Sequence, residues 1–350
     1  MSERWDPADF KDRIDTLLAD FLAVEAEQLL AIDDALHPVA EQLQSAVAHG
    51  KRLRAAFCYW GWRAVGQPDS DVLIRAAASM ELVHAAAIVH DDLIDDSPLR
   101  HNQPTAHIAL QTTLAGRPRA HAAARSLAML VGDHLMSLAG QLFATSGLPA
   151  AYLARARPVW AELARELIAG ECLEILATGT WPDPDVSLKV VRYKTAKYTV
   201  EHPLLIGALL AGAGSGLRTG LSAYGLPLGE AFQLRDDLLG LFGEPERTGK
   251  AGLDDIRGHR PTVLLAESWQ AALPAQREHL SGVLGRRDLT DEHLQDVREL
   301  MVTLKAPDRI EEMIDTRVQE AVSHLRGLDL PPQARQALTA LARSATDRRH

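Results

Sequence analysis

Only two cysteines, Cys58 and Cys172, occur in 350 residues. Each sits in an apolar helical context, which argues against a disulfide framework or a thiolate metal site. Aromatic residues make up just 5% of the chain, and no segment alternates apolar with polar residues for long, so an extensive sheet is excluded. Basic residues are outnumbered, 37 against 47 acidic, for a formal charge of −10, which argues against nucleic acid as a partner. No long linker, low-complexity tract or short-period repeat breaks the pattern, so residues 1–350 read as a single domain. An unbroken apolar run of about eighteen residues is also missing, and Met1–Phe10 is polar and charged. Neither membrane span nor signal peptide is expected, and the expected location is cytoplasmic.

What the chain has is alanine and leucine in helical periodicity, and the fold class reads as all-α. The clearest helix runs from Asp71 to Asp96: Ser70 or Asp71 can cap it, no Gly or Pro interrupts it, and Pro98 follows. Further helices are expected over roughly 8–46, 50–66, 119–145, 150–178, 188–213, 228–243, 260–282, 290–304, 308–326 and 332–345. The stretch 243–259 reads as a long loop of the kind that forms functional lids.

Two acidic clusters end apolar helical stretches: His90-Asp91-Asp92-Leu93-Ile94-Asp95-Asp96 and Gln233-Leu234-Arg235-Asp236-Asp237. Helical spacing puts Asp91 with Asp95, and Gln233 with Asp236 and Asp237, on shared faces. Anions massed at the edge of a core are costly unless cations neutralise them, and a helix C-terminus disfavours them further. Oxygen-only ligation selects a hard divalent ion such as magnesium, which is readily shared with substrate phosphates. The expectation is two carboxylate jaws that grip a diphosphate through metal.

The stretches HDDLIDDSPLRHNQPTAH, from His90, and FQLRDDLLGLFGEPERTGKAGLDDIRGHRPT, from Phe232, resemble the trans-isoprenyl (polyprenyl) diphosphate synthases. Gly50-Lys51-Arg52-Leu53-Arg54, Gly132-Asp133 and Lys194-Thr195 extend the likeness in matching order. The resemblance implies an isoprenoid-synthase-type helical bundle around a deep central cavity, as a homodimer, using Mg2+, three ions per active site. It implies isopentenyl diphosphate and an allylic diphosphate as substrates. Asp91, Asp92 and Asp95 would form one metal platform, and Asp236 would ligate a further ion, supported by Gln233 and Asp237. Arg100, Lys194, Lys250 and Arg260 fall where the family holds the allylic diphosphate, and Thr195 and Gln233 where it places polar contacts near the reacting centre. Lys51, Arg54 and His84 match the metal-free site for isopentenyl diphosphate.

Three positions depart from the family pattern. His101 replaces a second arginine of the isopentenyl diphosphate site, Gly240 replaces the last acid of the second motif, and Arg260 stands where lysine is commoner. The residues one and two turns before Asp91 are small, and Ala86, Ala87 and then Val83 are read as the floor that sets chain length. Small residues there imply a product longer than farnesyl, namely geranylgeranyl diphosphate. Two rivals stay open. One is a class I terpene cyclase, which needs no second diphosphate site; the other is a noncatalytic subunit of a heteromeric prenyl synthase.

Overall fold

The computed structural model describes residues 6–243, 254–286 and 288–346. They are almost wholly helical, as expected, with α1 at Pro7–Ile32, α2 at His37–Ser45, α3 at Leu53–Ala64 and α4 at Asp71–Ile94. A small antiparallel hairpin follows, β1 (Leu99–Arg100) with β2 (Gln103–Pro104), then α5 (Ala106–Thr113), α6 (Ala120–Ala144), α7 (Ala150–Ala177) and α8 (Pro184–Val190). A π-helix over Val191–Glu201 leads into α9 (His202–Leu210) and α10 (Ser215–Phe242). The chain closes with α11 (Asp254–Arg257), α12 (Val263–Ala271), α13 (Pro274–Val283), α14 (Asp291–Thr303), α15 (Ala306–Gly327) and α16 (Pro332–Thr346).

Contacts divide the chain into two compact units. One takes the described residues through Tyr59 together with Gln67–Ala154; the other takes Trp60–Gly66 and the described residues from Arg155 on. In the N-terminal unit α4 is the central helix, buried on nearly every side, with α6 along it and α1 against it. Such a helix needs no polar face, which is why its apolar character is almost continuous. Gly132 lets α6 come close, because a Cβ there would lie 2.3 Å from Nε2 of His90. The His90 ring instead sits 3.1 Å from the carbonyl oxygen of Met129. By length and mean hydropathy α4 and α6 could each cross a bilayer, but 72% of the apolar stretch of α4 is buried within the fold, against 44% for α6.

The C-terminal unit is built around α10, which packs on α15 and on the π-helix. Leu234, Leu238 and Leu241 of α10 share a core with Val263, Leu264 and Ile310.

Several helix boundaries differ from the sequence expectation, each for a local reason. The helix expected over 8–46 breaks at Asp33, which is extended (φ −166°) and accepts a hydrogen bond from the Ala35 amide through Oδ1 (2.8 Å), ahead of Pro38 in the first turn of α2. The helix expected over 260–282 breaks before Pro274. Conversely, α10 starts at Ser215 and not near 228, because Gly220, Gly225 and Gly229 are packing contacts within a continuous helix and do not interrupt it.

Candidate functional site

The first acidic cluster sits where α4 ends. Asp95 is the C-cap, its N–H bonded to the Asp91 carbonyl (2.9 Å), and Asp96 stops the helix at φ +55°. Arg125 of α6 donates to the Leu93 carbonyl and to Asp96 Oδ1, both at 2.8 Å, giving this helix end the cation it prefers. The β1–β2 turn, with His101 and Asn102 both at positive φ, is a tight two-residue connection of the primed type. It turns Arg100 back onto the cluster, where Nε reaches Asp92 Oδ1 at 3.0 Å and Nη2 reaches Asp91 Oδ2 at 3.1 Å. Asp92 is buried and Asp91 half-buried. Arg100 therefore supplies cationic charge to carboxylates that would be costly to bury unpaired.

Beside this lies a cationic group. Arg54, buried at 7% exposure, and Arg52, Arg100 and His101 all act on His84, whose ring is held well below its ordinary pKa by burial first and then by these neighbours. His84 is thus neutral at physiological pH and offers a hydrogen bond, not a charge. Lys51 is exposed just before α3. Arg52, within the Gly50–Arg54 likeness, carries no role expected from the sequence. It is buried at φ +55°, and bonds Asp15 Oδ1 (2.6 Å) and the His49 carbonyl (2.8 Å), which fixes the loop that carries Lys51. The His49 ring lies 5.7 Å from that of His101.

One stripe of α4 stays partly open in its buried half: His84, Ala87, Ile88, Asp91 and Asp95. It links the histidine to the acidic cluster along one helix face. Ala87 belongs to this stripe. Ala86 has no accessible surface and Val83 only 1%, so neither lines a space wide enough for water.

In the C-terminal unit, Gln233 donates through Nε2 to Asp237 Oδ1 (2.6 Å), with Asp236 adjacent on α10. Burial pushes the Asp237 carboxyl well above its usual range, and the nearby Asp255, Asp236 and Glu174 push it further. Asp255 was not anticipated. A Cβ at Gly240 would lie 3.2 Å from Asp255 Oδ2, so this carboxylate occupies the space beside the position where the motif lacks its last acid. Arg260 approaches Asp255 Oδ1 at 3.4 Å. Lys250, and 244–253 of the expected lid, lie outside the described residues.

Lys194 and buried Thr195 are carried by the π-helix, a rare form that concentrates at functional sites. Nζ of Lys194 pairs with Glu174 and, at 3.1 Å, with Glu171. The backbone here is gripped from two sides: a Cβ at Gly170 of α7 would lie 2.2 Å from the Lys194 amide nitrogen, and one at Gly229 of α10 would lie 2.4 Å from the Ala196 carbonyl oxygen.

The donor sets fit a hard divalent cation. In one unit, Asp91, Asp92 and Asp95 gather at a helix end; in the other, burial first and then Asp255, Asp236 and Glu174 raise the Asp237 carboxyl. Buried and closely spaced oxygen donors of this kind are relieved by magnesium.

Comparison with known proteins agrees. The sequence profile described as "Polyprenyl synthetase" matches residues 37–301. A geranylfarnesyl diphosphate synthase of Aeropyrum pernix is 30% identical over 314 residues, covering 88% of this chain and 90% of that protein. An octaprenyl diphosphate synthase of Escherichia coli is 28% identical over 304 residues, 85% of this chain and 86% of that protein. Among solved structures, a geranylgeranyl pyrophosphate synthase from Corynebacterium glutamicum, complexed with isoprenyl diphosphate and magnesium, superposes with a TM-score of 0.94 at 32% identity, covering 99% of this chain and 100% of that one.

Proposed function

This chain belongs to the polyprenyl synthetase family and is a prenyltransferase with the all-α isoprenoid-synthase fold, and from that premise we propose that it condenses isopentenyl diphosphate head to tail with an allylic diphosphate to give geranylgeranyl diphosphate. The observation that carries this reading is the pair of distinct anion sites in the N-terminal unit. The Asp91, Asp92 and Asp95 group suits a metal-bound diphosphate that must leave, while Arg54, His84 and His101 suit a metal-free diphosphate that must stay. A terpene cyclase has no use for the second.

Asp91, Asp92 and Asp95 would hold magnesium, as would Asp236 with Gln233 and Asp237 in support; the reading takes three ions per site. Magnesium, when bound, offsets the charge that develops on the leaving diphosphate oxygens. Arg100, Lys194, Lys250 and Arg260 add fixed positive charge there, arginine as a fork and lysine as a point charge. Thr195 orients the reacting end. Lys51, Arg54, His84 and His101 hold isopentenyl diphosphate, with His84 donating a hydrogen bond as a neutral ring. Below Asp91, Ala87 leaves room for the growing chain, which supports a product longer than farnesyl.

The reading includes a cytoplasmic homodimer. The outward face of α6 supports it, with Met129 and Leu130 47% and 53% exposed.

The test is turnover. Purified protein with magnesium and isopentenyl diphosphate is given dimethylallyl, geranyl or farnesyl diphosphate, and products are read by mass. Geranylgeranyl diphosphate is expected from each starter. Cyclised hydrocarbon from an allylic diphosphate alone would replace this reading with a cyclase, and silence with all starters would point to a subunit that needs a catalytic partner.

A further inference from the structure

On α7, Glu166, Gly170 and Glu174 follow one another at intervals of four and form a single stripe facing the π-helix. Gly170 is a hole, filled by the backbone at Lys194. Carboxylates flank it. Glu174, with Glu171, holds Lys194 Nζ on one side; on the other, Glu166 Oε2 lies 2.7 Å from Lys197 Nζ. The two lysines are three residues apart yet reach in opposite directions along α7.

Further groups close around the lower pair. Glu201 Oε2 stands 3.9 Å from Lys197 Nζ, and Glu201 Oε1 accepts a hydrogen bond from Ser222 of α10 at 2.5 Å. His202 Nε2 lies 3.2 Å from Glu166 Oε2. Lys197 is itself largely buried, at 19% side-chain exposure, and on the proposed reading no substrate charge is assigned to it.

A π-helix has poorer intrinsic stability than an α-helix and persists only where packing over-determines it. Both lysines tie this segment to α7. A diphosphate that draws Lys194 Nζ away from Glu171 and Glu174 removes one of those ties. The other involves no residue that the proposed reading assigns to substrate.

We propose that Lys197, clamped by Glu166 and Glu201, is a positioning residue that keeps the π-helical segment in register while Lys194 is transferred from its glutamates to the allylic diphosphate. This rests on the reading of Lys194 as a diphosphate contact. Binding energy is then not spent on re-forming the segment, so affinity depends on a residue that never meets the ligand.

The experiment uses the full chain with Lys197→Met, Lys197→Arg, the paired Glu166→Gln/Lys197→Met and, as a control on the reading, Lys194→Ala. The pair removes both charges together, which buried sites tolerate better than losing one. Three quantities are read: the Kd of inorganic diphosphate with magnesium, amide hydrogen exchange across 191–201 with and without it, and separate KM values for the two substrates. Lys197→Met and the pair should weaken diphosphate by about ten- to a hundredfold, by analogy with the loss of outer-shell partners behind metal ligands. Exchange across 191–201 should rise most in the diphosphate-bound state, KM for isopentenyl diphosphate should stay unchanged, and Lys197→Arg should restore most of the affinity. Wild-type diphosphate affinity and wild-type exchange in both the single and paired variants would overturn the proposal, as would equal weakening for isopentenyl diphosphate. If Lys194→Ala binds diphosphate normally, the reading of Lys194 fails; if it binds weakly while Lys197→Met binds normally, only the positioning role fails.

Discussion

Arg235, one residue before Asp236, turns away from the acidic cluster and donates through Nε to the backbone carbonyl of Thr346 at 3.0 Å, while its terminal nitrogens take both oxygens of Glu311. The second motif is thereby tied to the last turn of α16 and to α15. A motif that reads as one chemical unit serves two purposes on opposite faces of α10.

Replacing Arg235 with Ala is expected to destabilise the protein by about 1.5–3 kcal/mol, the worth of charge-assisted hydrogen bonds of this kind. Glu311 is 44% exposed and can return to water, which holds the loss within that range. Urea unfolding of the variant against wild type measures it, and an unchanged midpoint would show the tie to be energetically idle.

Chain length should respond to Ala87 and not to Ala86. Ala87→Phe adds a ring to the open stripe below Asp91 and is expected to shorten the prenyl product, read by mass. Ala86 has no accessible surface, so Ala86→Phe overpacks the core around α4 at a cost of about 1–3 kcal/mol and should lower the melting temperature without shifting the product. Equal product shifts in both variants would remove the floor assignment.

His101→Arg should lower KM for isopentenyl diphosphate, because a guanidinium is always charged and takes phosphate oxygens in a fork. Several-fold is the expected scale, because Arg54 and Arg100 already act at the same cluster. Position 101 lies at φ +52°, a conformation in which histidine is enriched, so a modest loss of thermal stability is expected with the gain. KM for isopentenyl diphosphate in variant and wild type decides: a several-fold gain supports the charge argument, and no gain refutes it.

Buried His202 gives stability a pH dependence of known sign. Burial, with Lys197 nearby, lowers its pKa to about 3, whereas an unfolded imidazole takes up its proton near about 6.5. Between those values the unfolded chain binds more protons, so this contribution is complete above the unfolded value and is lost as pH falls through the window, by up to about 1.4 kcal/mol per unit. Glu201, whose carboxyl is raised by burial, contributes with the opposite sign, and Glu166 and Lys197 share the cluster. The difference between wild type and His202→Gln isolates the histidine: unfolding free energy from pH 4 to 6 should slope less steeply in the variant, and parallel curves would mean that His202 does not titrate on unfolding.

Most of the helices were legible because apolar periodicity and uninterrupted alanine-rich stretches are local signals; α4 is within two residues of its expected end at Asp96. The acidic motifs were legible for the same reason, since residues close in sequence on one helix stay close in space. The tie of Arg52 to Asp15, the place of Asp255 beside Gly240 and the reach of Arg125 to Asp96 were not, because each joins separate parts of the chain that no spacing rule connects. Glycines 220, 225 and 229 misled, as their value is the close approach of a neighbour, which composition does not reveal.

The sequence alone therefore determined the helical class, the two carboxylate groups and the family chemistry they imply. Only the tertiary structure decided that His84 is neutral, that Ala87 and not Ala86 is open, that an acid from the 243–259 stretch stands beside Gly240, and that Lys194 rides on a π-helix gripped through Gly170 and Gly229. Those properties depend on burial and on the charges of distant segments, and both are set by packing rather than by neighbours in the chain.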